Sequence, residues 1–86
     1  MSDWVRKSNL EDAFQEMHGI RPQVYYRYVD RNTYQIKLIK SGKEIILQDQ
    51  MKNGLTRVAT VEYNGTTHDK KCIYDAEVEA TKIFKE

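Results

Sequence analysis

Apolar positions recur with helical spacing near both ends of the chain and with a spacing of two between them. Leu10, Ala13, Phe14 and Met17 fall on one stripe of an α-helix. Ser8 and Glu11 ahead of that stripe have the spacing of a capping box, in which hydroxyl and carboxylate satisfy each other's backbone N–H. Gly19 follows where a left-handed C-cap is expected, Pro22 prevents the helix from resuming, and His18 in the last turn suits the dipole there. Trp4 and Val5 are out of phase with the stripe. They read as a separate lead-in turn, with Trp4 packing that turn against the core and a binding anchor as the alternative role for its ring.

From Gln23 the period becomes two. Residues 24–30 are rich in Tyr and Val and read as a strand. After turn residues at 30–33, Tyr34, Ile36 and Leu38 alternate with Gln35 and Lys37, a second strand with one buried face. Ser41-Gly42 makes a tight turn into 44–49, where Ile45 and Leu47 alternate again. Residues 48–54 read as a polar loop, 55–63 as a fourth strand, and 66–74 as a fifth, returning through the hairpin signal Asn64-Gly65. Asp75 is the expected cap of a closing helix whose Ala76, Ala80, Ile83 and Phe84 cover about 100° of one face. The reading is a single α+β domain over residues 1–86: an antiparallel β-meander of about five strands flanked by an N-terminal and a C-terminal helix on one sheet face. If Tyr34, Ile36 and Leu38 face the helices, then Gln35, Lys37, Glu44 and Gln48 face water. The first strand leaves both choices open: Val24, Tyr26 and Tyr28 share one face, and Tyr25, Arg27 and Val29 the other.

Eighty-six residues leave room for one domain with a thin core. The apolar runs are too short to span a bilayer, and residues 1–7 lack the apolar stretch of a secretion signal. Cys72 is the single cysteine, so an internal disulfide is excluded. A cytoplasmic chain is therefore expected, in the host cytoplasm if it is phage-encoded. The net charge of +1 conceals an asymmetry. Residues 1–19 carry two basic and four acidic groups, residues 75–86 again two and four, and residues 20–74 ten and five.

Candidate chemistry is sparse. A metal ion needs several convergent ligands, yet His68 and Cys72, on one face of a regular strand, would lie about 13 Å apart. His18 is the remaining soft ligand, and Cys72 reads as a small buried hydrophobe. No nucleophile elbow, phosphate-cradling Gly-rich loop or Cys–His pattern is present. The carboxylate pairs Glu11/Asp12 and Glu77/Glu79 have the spacing of solvated helix faces. The expectation is no catalytic residue, no cofactor and no metal. Against it stands a small ribonuclease built from His68, Glu62, Arg57 and Lys70 on neighbouring strands, with exposed cross-strand charge pairing as the plainer account.

All six tyrosines fall in the expected sheet, interleaved with Arg27, Lys37, Lys40, Arg57, Lys70 and Lys71. Rings and cations in that mixture suit a protein interface or a surface on which nucleic-acid bases stack. The low net charge favours the protein, because phosphate binding draws on a stronger positive excess. Arg27, Tyr28, Lys37 and Arg57 are the candidate contacts of a non-enzymatic protein-binding module. Nucleic-acid binding through the same sheet is the alternative, and an open strand edge allows a homodimer.

The segment Cys72-Ile73-Tyr74-Asp75-Ala76-Glu77-Val78-Glu79-Ala80 is similar to the last strand and helix of double-stranded-RNA-binding domains. That family begins its final helix with a lysine pair, where this chain has Asp75-Ala76-Glu77 and carries Lys70-Lys71 earlier. The family's Gly-Pro-x-His loop is also missing, so its RNA contacts are not carried over. In size, terminal pattern and lack of motifs, the whole chain resembles the small single-domain accessory proteins of tailed phages. That resemblance implies direct binding to a host protein, with inhibition or modulation as the outcome.

Overall fold

A computed structural model describes residues 3–53 and 56–86. The elements are β1 (Val5–Arg6), α1 (Ser8–His18), β2 (Gln23–Asp30), β3 (Thr33–Lys40), β4 (Lys43–Lys52), β5 (Thr56–Tyr63), β6 (Thr66–Lys70) and α2 (Ile73–Lys85). The strands form one antiparallel six-stranded sheet in the order β1-β2-β3-β4-β5-β6. An antiparallel meander between two helices is thus the architecture, with one strand more than expected. The extra strand is the lead-in itself: Val5 pairs with Tyr26 and Arg6 with Tyr25.

Alternation sorts the sheet into two faces. Val24, Leu38, Ile45, Leu47, Ala59 and Val61 point to the helices and form the core with Phe14, Ala76, Ala80 and Phe84. The alanines let α2 lie close to β4 and β5, while α1 packs on β2. Each fully buried Leu, Ile or Val contributes roughly 1.5–3 kcal/mol. Tight turns hold the register. Ser41-Gly42 and Asn64-Gly65 have positive φ at both residues, the conformation whose twist suits a two-residue hairpin. Gly19, at φ 77°, ends α1 as expected, its N–H donating to the Gln15 carbonyl.

Other expectations are corrected. The capping box does not form: Lys7 occupies the N-cap of α1 without a side-chain cap, and Glu11 turns inward. Its carboxylate accepts from the Arg6 guanidinium (2.9 Å) and from the Val24 N–H (3.2 Å), tying α1 to the start of β2. The polar stretch from Gln48 belongs to β4, which runs on to Lys52; Gly54 and Leu55 lie outside the described residues. The fifth expected strand stops at Lys70, because α2 already begins at Ile73. Cys72 is the exposed N-cap of α2 rather than a buried hydrophobe, and Asp75 sits inside the first turn. Tyr74 is consequently on the helix and exposed, and Met17 on α1 is 60% exposed. At the far end of α2, the Lys43 ammonium donates to the carbonyls of Ile83 and Glu86 (3.0 and 3.1 Å), as suits a helix C-terminus.

Candidate functional site

Both described helices lie on one side of the sheet, so the other face carries no helix. On that face β2 and β3 set Tyr25 opposite Lys37 and Arg27 opposite Gln35. Trp4, one residue before Val5, lies over the same row. Its ring has the Arg27 guanidinium 4.3 Å and the Lys37 ammonium 4.4 Å from its centroid. Lys37 also approaches the Tyr25 ring at 5.7 Å. Cations over rings gain from the ring quadrupole, and these contacts fix long side chains that would otherwise sample many rotamers. Arg27 is further held by an Nε–H bond to Gln35 (2.8 Å) and by Asp3 at 3.9 Å.

Gln35 in turn donates to Gln48 at 2.7 Å, so one polar row crosses β2, β3 and β4. The register extends it to Thr60 on β5 and Asp69 on β6. The result is a ring-and-cation cluster at one end of a face that elsewhere carries amides, threonines, the carboxylates of Glu44, Glu62 and Asp69, and the half-buried Ile39, Ile46 and Val58. Trp4 thus lies on the helix-free face instead of packing the lead-in against the core, and a two-residue strand has no period from which that side could be read.

The four expected contact residues divide between the faces. Arg27 and Lys37 belong to the helix-free cluster. Tyr28 and Arg57 lie on the helix side, at an end that α1 and α2 leave open. There Tyr28 is 69% exposed and meets Tyr34 in a tilted contact with centroids 5.1 Å apart, Tyr34 meets Tyr26 at 6.1 Å, and Arg57 is bonded to Asp49. Burial pushes the Tyr34 phenol up, with the neighbouring Tyr28 and Tyr26 adding to the effect. Of the tyrosines, Tyr25 alone points away from the helices within the sheet; Tyr26, Tyr28, Tyr34 and Tyr63 point toward them.

The ribonuclease constellation is not assembled. Glu62 pairs with Ile46 and points away from the helices, whereas Arg57, His68 and Lys70 share the opposite face. Lys70 is drawn to Glu79 of α2 at 3.5 Å. His18 is buried beside Phe14, with Glu77 at 3.6 Å across the helix pair. Next to it, Leu10, Phe14, Met17, Ile36 and Glu77 border an apolar cleft of about 60 Å³, small beside ligand sites of roughly 300–1,000 Å³. Among the described residues no group of His, Cys, Asp and Glu is placed to hold a metal ion. No described helix is long and apolar enough to cross a membrane.

What the fold and this surface define is a small α+β meander with one face left open. In comparisons with protein-family models, characterised proteins and solved structures, the chain matches none.

Proposed function

We propose that the chain is a non-enzymatic protein-binding module that docks through the helix-free face of its sheet. The observation that carries this reading is the Trp4 ring held between Arg27 and Lys37 beside Tyr25. Trp, Tyr and Arg are the residue types that dominate binding energy at protein interfaces, and fixing them beforehand lowers the entropy cost of association. The polar row through Gln35 and Gln48 supplies amides for a specific rim. The finer reading is a phage accessory factor that inhibits or modulates a host protein. Its support is the small size, the helix at either end and the absence of catalytic motifs.

The test is affinity capture from a bacterial lysate with paired variants. A partner held by the parent and by Tyr28→Ala, and lost on Trp4→Ala or Lys37→Glu, is the expected result. Equal capture by all four proteins, or none by the parent at micromolar bait, would remove the proposal.

The same ring-and-cation cluster supports a second reading, single-stranded nucleic acid stacked on Trp4 with phosphates at Arg27 and Lys37. It requires affinity that falls steeply with salt. The near-neutral charge of the chain weighs for the protein partner.

A further inference from the structure

The sheet ends in two unlike edges. At one, β1 is two residues long and covers only Tyr25 and Tyr26, and β2 beyond it shifts register between Tyr28 and Asp30. Short strands and bulges keep an edge from recruiting another strand. Asp3 and Trp4 reach across that end to Arg27. The other edge, β6, has none of these devices. Its five residues keep unbroken register with β5 from Tyr63↔Thr66 to Ala59↔Lys70, and Thr66 to Asp69 are all exposed.

Which backbone groups β6 leaves open follows from the hairpin. Asn64 and Gly65 form a two-residue turn with φ of 53° and 77°, so the flanking pair Tyr63–Thr66 is hydrogen-bonded. Alternation makes Val61–His68 and Ala59–Lys70 the next bonded pairs. Thr66, His68 and Lys70 thus direct their N–H and C=O groups to β5, while Thr67 and Asp69 direct theirs outward. For edge-to-edge pairing, a two-fold axis perpendicular to the sheet beside His68 sets Thr67 opposite Asp69 of a second copy at both positions. A two-fold through Asp69 would oppose two carboxylates, which is destabilising. One through Thr67 leaves Asp69 facing the turn.

We infer that β6 is a self-recognition edge: two copies pair antiparallel about His68 and form one continuous sheet. Thr67 of each copy exchanges both backbone hydrogen bonds with Asp69 of the other, and the side chains can add a hydroxyl–carboxylate bond. Lys70 does not obstruct the pairing, since Glu79 draws its ammonium toward α2. The two His68 side chains face each other as a non-hydrogen-bonded pair, the closer of the two cross-strand spacings. Around each lie Lys70 on the same face, Val61 opposite and Tyr63 diagonally on β5. The charged groups of α2 near β6, namely Asp75, Glu79 and Lys82, gather at its Asp69–Lys71 end. The pairing accommodates an uncharged side chain at this position, and a permanent cation there would repel its copy.

Sedimentation equilibrium of the full chain from micromolar to millimolar concentration tests the inference. A monomer–dimer equilibrium at neutral pH is expected. Thr67→Pro removes an outward N–H that β5 does not use, and should abolish the dimer with the circular dichroism spectrum retained. Should that variant misfold, His68→Lys leaves the backbone intact and should also give monomer at neutral pH. His68→Val, uncharged at the same position, should still dimerise. A parent that stays monomeric throughout, a dimer that survives His68→Lys, or a His68→Val variant that stays monomeric would each overturn the inference.

Discussion

Glu11 is a carboxylate only 3% exposed, yet its surroundings favour the charged form. The Arg6 hydrogen bond is the largest influence holding its carboxyl below the usual carboxylate range, and the Val24 N–H and nearby Arg21 act in the same direction against burial. A carboxyl whose acidity is strengthened by folding stabilises the fold above its unfolded value of about 4.3. That contribution is lost as pH falls through the lower folded value. Glu11→Gln should therefore cost about 1–2 kcal/mol at neutral pH. Its urea-unfolding curve should converge on the parent's in acid, where both side chains are neutral; a constant gap would disprove the ionic account. Trp4 is the residue on which the open face depends. Trp4→Ala should weaken partner binding by roughly 2 kcal/mol, about thirtyfold, while the melting temperature changes little. Isothermal titration set beside a thermal melt separates these two effects.

At the scale of elements, the hairpin turns carry the most local information. A Cβ at Gly65 would meet nothing within 4 Å, so the cost of Gly65→Ala is that of placing an L-residue at φ +77°. About 1 kcal/mol of destabilisation, read from the denaturant midpoint, is expected. Those turns, the apolar alternation of Ile36, Leu38, Ile45 and Leu47, and the apolar stripes of both helices were legible in the sequence. What was not legible has a common physical origin. Gln48 and Gln50 lie on the face without helices and the helix-side position between them is Asp49, paired with Arg57, so the tail of β4 shows no apolar period and resembles a loop. Both helices start without a side-chain cap, so the cap residues Ser8 and Asp75 pointed to the wrong first turn. Arg27 and Lys37 could be found as outward neighbours of a buried strand, although their meeting at Trp4 depends on a pairing of only two residues. Arg57 fell on the opposite side through the Leu47↔Val61 register of β5, and Tyr28 because β2 carries large side chains on both faces. Only the Val24↔Leu38 register decides between them.

Across the whole molecule, each strand neighbours the one before it in the chain, and both helices serve the same side. Helix segments with an acidic excess offset a sheet segment with a basic one, and on the helix-free face Arg27, Lys37 and Lys52 stand beside Glu44, Glu62 and Asp69, so charge is balanced there too. If the partner is a protein, its affinity should change only modestly between about 50 and 200 mM salt. A nucleic acid that neutralised several cations would lose orders of magnitude over that range. The sequential order of the strands has a further consequence, for the rate at which the chain finds its structure. No strand awaits a distant segment, so loop-closure entropy stays small at every step and the hairpins can zip in succession. Refolding from urea should be complete within milliseconds, faster than is common for sheets of crossed topology. A stopped-flow trace dominated by a phase of seconds would show that something other than strand order sets the barrier.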